Sequence, residues 1–103
     1  MKKSLQRLRE YGHICRIINN YENAKKRGLQ AEDVDMYNNL VSQAKNEKIW
    51  AENFVNSIDD LFIREIILQR YFKGKTWKAV AVAMGSYATE DCYRKAVSRY
   101  IHA

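Results

Sequence analysis

Between Thr89 and Arg99 the 103-residue chain carries hydrogen-bonding side chains at helical spacing: Thr89, Glu90, Asp91, Arg94, Lys95, Ser98 and Arg99. A threonine at the start of such a run caps a helix and offers its hydroxyl to a phosphate. Carboxylates such as Glu90 and Asp91 accept hydrogen bonds from cytosine amino groups, while Arg94, Lys95 and Arg99 donate to guanine or to phosphate. One helix upstream stand Lys73, Lys75, Thr76 and Lys78. There, the first helix of a DNA-reading pair would cross the phosphate backbone. An ordinary solvated helix face is the alternative account of the same residues.

Other chemistry finds little support. His13 and His102 are isolated, and each reads as a surface or helix-end histidine rather than a ligand or base. Adjacent Asp59 and Asp60 would point about 100° apart on a helix, so one of them capping the helix is simpler than a metal pair. Cys15 and Cys92 are far apart and lack metal-ligand neighbours, which fits small buried hydrophobes in a reducing compartment. No phosphate loop or nucleophile elbow is present, so neither an enzyme nor a cofactor is expected.

The charge pattern points to an anionic partner. Net charge is +6, and nucleic acid is the commoner partner of such a chain than a membrane. Residues 1–30 hold 8 basic and 2 acidic side chains, residues 31–58 hold 2 and 5, and residues 59–103 hold 8 and 5. The acidic middle is therefore expected to face a partner or its own neighbours, not nucleic acid. The N-terminus lacks the apolar core of a signal peptide, and no window approaches about 18 apolar residues. A cytoplasmic protein is expected.

The elements that must position these residues are helices. Proline is absent and glycine occurs only 4 times, which favours long helices. The first is expected from Ser4, as cap, to about Lys26, with Leu8, Tyr11, Cys15 and Ile18 on one stripe and Gly28 as the stop. A second runs from about Ala31, with Glu32, Asp33 and Asp35 in its first turn, to about Asn56. These two form an antiparallel hairpin or a dimer surface. A third starts at Asp59 or Asp60 and ends at Lys73. Its apolar residues, Leu61 and Phe62 among them, are expected to pack on both neighbours.

A fourth helix, Thr76 to Met84, buries Trp77, Val80, Ala81 and Met84, with small Ala79, Ala81 and Ala83 allowing close helix approach. A turn over Gly85 to Ala88 follows. The fifth helix begins at Thr89 and buries Tyr93, Ala96, Val97, Tyr100 and Ile101. The fold class is therefore all-α: an N-terminal helical hairpin (residues 1–57) and a three-helix helix-turn-helix domain (residues 58–103).

Within the second half, Arg70-Tyr71 close a helix, Gly74-Lys75-Thr76-Trp77 open the next, Val80-Ala81 and Met84-Gly85 follow, and then come Thr89, Asp91, Tyr93 and Arg94. From Ile66 to Ile101 this order resembles region four of bacterial primary-type sigma factors. The wording RYFKGKTWKAVAVAMG with YRKAVSRYI is similar to small prophage regulators of the ArpU and RinA type. That resemblance implies a sequence-specific, DNA-binding transcription regulator of a phage or prophage, with Thr89, Glu90, Asp91, Arg94 and Lys95 on its recognition helix. The chain departs from the sigma pattern in a longer turn before Thr89, in Glu90, and in Cys92, so the target sequence does not carry over.

Double-stranded DNA is the expected partner, with a homodimer through the N-terminal helices and RNA polymerase as a further candidate partner. A dimer would set two recognition helices about 34 Å apart. Two alternatives keep the helices and change the work: a small terminase subunit, which usually carries its helix-turn-helix N-terminally, and a helical adaptor that binds polymerase or a sigma factor without DNA.

Overall fold

The computed structural model describes residues 3–28, 31–86 and 88–102, and at 31–33 the backbone alone. The side chains of Glu32 and Asp33, expected in a first helical turn, and Tyr87 of the expected turn lie outside the described residues. The fold is all-α, and no strand occurs among the described residues. Its helices are α1 (Ser4–Arg9), α2 (Tyr11–Lys26), α3 (Ala31–Asn56), α4 (Leu61–Ile67), α5 (Trp77–Ala83) and α6 (Glu90–His102), with a π-helical turn over Leu68–Phe72. The molecule is elongated, 53 × 26 × 19 Å, because α3 alone is about 39 Å long.

The first expected helix is divided. Glu10 takes φ −84° and ψ −6°, and its N–H reaches Arg7 O at 3.2 Å in a tight turn. The chain becomes helical again with Ile14 N–H on Glu10 O at 2.9 Å. The reason lies in what α1 docks against. Leu8 is fully buried, and Arg7 forms a two-pronged pair with Glu47 of α3 at 2.8 and 3.0 Å. The same guanidinium lies 3.7 Å from the centre of the Trp50 ring. The ion pair stacked on the aromatic face and the burial of Leu8 together hold α1 against α3 and the core. Ser4 is not the cap; Lys3 occupies that position without a side-chain bond, and Ser4 is already helical.

Beyond the bend, α2 and α3 form the expected antiparallel hairpin. Ile14, Val41 and Ala44 are buried along its seam. Nearer the tip, Tyr21 packs against Tyr37 and donates its hydroxyl to Asn38 Oδ1 at 3.0 Å. Gly28 closes α2 at φ +84°, a conformation that costs little only without a Cβ. At the other end of α3, the Arg64 guanidinium accepts the role of a cap: its Nε donates to Val55 O at 3.1 Å and its Nη2 to Asn56 O. A cation there also complements the helix dipole.

Asp60 caps α4, its carboxylate accepting from the N–H groups of Phe62 and Ile63 at 3.0 and 3.2 Å. Ile63, Ile66 and Ile67 enter the core. Leu61 does not, contrary to expectation; it is 72% exposed, and Phe62 is half-exposed with its ring against Tyr93. The expected single helix to Lys73 changes pitch at Leu68. Lys73 N–H bonds back five residues, to Leu68 O at 2.9 Å. This wider turn re-aims Arg70 and Tyr71, as π-helical turns commonly do near functional surfaces.

One core crosses the link between residues 57 and 58. Leu8, Tyr11, Ala51, Val55 and Ile58 pack with Ile63, Ile66, Ile67, Val80, Tyr93 and Val97. Tyr11 stacks on Phe72 with ring centroids 4.3 Å apart. α1 and α2 therefore share their apolar surface with the C-terminal helices and not only with α3.

Candidate nucleic-acid interface

The α5–turn–α6 unit is built from short local signals. Thr76 Oγ1 accepts from Ala79 N–H at 3.2 Å and starts α5. At the other end, Gly85 N–H bonds Val82 O at 3.1 Å and Ser86 N–H bonds Ala81 O at 2.8 Å, the paired bonds of a Schellman stop. Gly85 sits at φ +90° and Ser86 at φ +57°. Val80 of α5 and Tyr93 and Val97 of α6 are buried where the two helices meet. Of the three small residues expected to permit close approach, Ala81 packs against the core, whereas Ala83 faces outward.

Thr89 caps α6 through its side chain, accepting from Cys92 N–H at 3.3 Å and donating to Cys92 Sγ at 3.3 Å. Cys92 is exposed, contrary to the expected burial, and the hydroxyl's hydrogen bond, followed by one from the Thr89 backbone, holds its thiol below its ordinary pKa.

Glu90, Asp91, Arg94, Lys95 and Arg99 are all exposed, and Ser98 is half-buried. Asp91 and Arg94 are already partners, with Nη2 to Oδ1 at 2.7 Å. Arg94, Lys95 and Ser98 come together at a cleft, while Arg99, one residue beyond Ser98, points about 100° away from it.

The backbone-crossing candidates form a second group. Lys75, Thr76 and Lys78 cluster at the start of α5 beside exposed Val82 and Ala83. Lys73 is exposed in the preceding loop. Lys75 is partly fixed by its main chain. Its N–H bonds Gln69 O at 3.2 Å, and its carbonyl accepts from Arg70 Nη1 at 2.7 Å.

The cleft beside α6 has a volume of about 480 Å³. Besides the α6 residues, its walls are Leu5 and Arg9 from α1, Arg70 and Tyr71 from the π turn, and Trp77 from α5. Among the described residues four cations line it and no carboxylate does, though one of the four, Arg94, is paired with Asp91 just outside. The Arg70 guanidinium is held 5.3 Å from the centre of the Trp77 ring and 5.8 Å from that of Tyr71. Burial raises the Tyr71 hydroxyl above its ordinary pKa, and charge and a hydrogen bond from Arg9 pull it the other way.

Arg9 and Arg70 were not among the residues that spacing singled out. Arg9 belongs to the basic N-terminal segment, and only the docking of α1 beside α6 brings it here. Arg70 was visible as half of an Arg-Tyr pair, but its direction depends on the π turn.

Among the described residues, no group of three or more His, Cys, Asp or Glu side chains is placed to hold a metal ion. No helix among them is long and apolar enough to cross a membrane. No protein-family model, curated protein or solved structure matches the chain.

Proposed function

We propose that the protein is a sequence-specific double-stranded-DNA-binding transcription regulator of a phage or prophage, acting in the cytoplasm of a bacterial host. One observation carries the reading: α6 exposes Asp91, Arg94 and Lys95 on a capped helix whose flank is a cleft lined by Arg9, Arg70, Arg94 and Lys95. Polar side chains on an exposed helix can enter a major groove, and the surrounding cations can hold the strands that border it. Lys75 and Lys78 at the start of α5 supply the second set of backbone contacts. α6 reads bases; Lys73, Lys75, Thr76 and Lys78 set the register.

The tip of the α2–α3 hairpin serves protein partners. Met36 is 68% and Leu40 44% exposed on α3. Apolar side chains at that exposure favour a second copy of the chain, and the acidic remainder of α3 suits RNA polymerase as the other partner. Selection from random duplexes is the decisive experiment. An enriched motif, with affinity that falls as salt rises, is the expected result. Failure to retain any duplex would overturn the reading and leave a protein-binding adaptor.

A further inference from the structure

We propose that α1 is part of the nucleic-acid interface, with Arg9 gripping a backbone phosphate in the cleft beside α6. This inference rests on the DNA-binding function proposed above and adds a third element to it. A phosphodiester calls for converging N–H and O–H donors with no carboxylate to compete. The cleft offers Arg9, Arg70, Lys95 and the Ser98 hydroxyl for this, while Arg94 also lines it but is paired with Asp91. Among the described residues Arg9 and Lys95 form no ion pair, and the one side-chain partner that Arg9 meets, the Tyr71 hydroxyl, is neutral and belongs to the cleft wall.

Arg70 plays a different part. Its Nη1 is held by the Lys75 carbonyl and its guanidinium lies against the Trp77 ring, so it presents a fixed positive wall rather than a mobile arm. The main chain it holds is that of Lys75, one of the proposed backbone contacts. The cleft and the start of α5 are thus mechanically joined.

A strand fits better than a free anion because the cleft does not end at Arg9. A neighbouring groove shares Leu5, Arg9 and Ser98 and continues between the start of α1, with Lys3 and Gln6, and the end of α6, with His102. A cationic track of this kind suits a chain of phosphates. Docking of α1 fixes its place: Arg7, two residues before Arg9, is clamped by Glu47 and Trp50 on the opposite side.

The test measures binding of a random-sequence duplex by the full chain, by Arg9→Gln and by Lys78→Ala, between about 50 and 200 mM salt. Arg9 is exposed, so the substitution leaves the core intact, and circular dichroism verifies that. The expected result is weaker binding to all sequences and a log–log salt slope reduced by about 0.9, the value of one phosphate contact. If Lys78→Ala weakens binding while Arg9→Gln matches wild type, the role of α1 is overturned and the DNA-binding reading survives. If wild type does not bind, both fall. If inorganic pyrophosphate at constant ionic strength raises the melting temperature of wild type but not of Arg9→Gln, and DNA affinity is the same for both, the cleft holds a free anion and the strand assignment is wrong.

Discussion

Arg94 Nη2 lies 2.7 Å from Asp91 Oδ1, one helical turn back on α6. The two residues best suited to opposite members of a G·C pair thus hold each other in the free protein. An exposed pair at this spacing stabilises a helix by only about 0.2–0.5 kcal/mol, so DNA can break it cheaply. On the proposed DNA-binding function, the pair would orient Arg94 and keep its charge from attracting every phosphate equally.

Arg94→Ala is expected to cost about 1–3 kcal/mol of discrimination between the selected site and a single-base variant, measured by competition binding. Asp91→Asn should do the reverse for random DNA, tightening it while narrowing the gap to the selected site. An unchanged preference in both variants removes the base-reading role from this pair.

For Lys75→Ala and Lys78→Ala the expectation is uniform weakening on all sequences and a salt slope smaller by about 1 in each case. Titrations at several salt concentrations check it. A loss confined to the selected site would mean that these lysines read sequence.

Leu8→Ala should destabilise the whole chain by about 2–5 kcal/mol, because Leu8 fills the core shared with α4, α5 and α6. Trp50 and Trp77 report on different parts of that core, so urea unfolding can be followed in Trp50→Phe and Trp77→Phe backgrounds. Both reporters should shift together. A Trp77 transition left in place would show that the C-terminal helices are stable without α1.

Cys92 provides a pH readout of the α6 cap. A thiol whose pKa is held down is thiolate, and therefore nucleophilic, at lower pH than usual. Thr89→Val removes the hydroxyl hydrogen bond, so the midpoint of the iodoacetamide rate profile should move to higher pH. At any pH between the two midpoints, the variant should react more slowly than wild type. A profile that does not move would mean that the Thr89 hydroxyl does not set the thiol.

Replacing Met36 and Leu40 with lysine is expected to convert a dimer to a monomer in sedimentation equilibrium while leaving the circular dichroism spectrum intact. A wild-type mass of one chain would end the dimer proposal, and a ring of eight or more would favour the terminase alternative.

Much of this fold follows from short-range rules. Trp77, Val80, Ala81 and Met84 recur at helical spacing and do face inward together. Asp60, Thr76 and Thr89 are capping residue types, and each caps the helix it precedes. Gly85 is the residue that tolerates the left-handed stop after α5. These features involve partners within a few residues, so the local chain determines them.

Three things waited for the tertiary structure. The bend at Glu10 arises because Arg7 and Leu8 find Glu47, Trp50 and the core. The π turn at Leu68 sets the direction of Arg70 and Tyr71, which depends on one extra residue in a helical turn. Arg9 meets Arg94, Lys95 and Ser98 only because α1 docks beside α6. Periodicity tells which side of a helix is apolar, but not which helix will cover it. That choice belongs to the packing of the entire core, and it turns a basic N-terminal segment and a distant polar helix into two walls of one cleft.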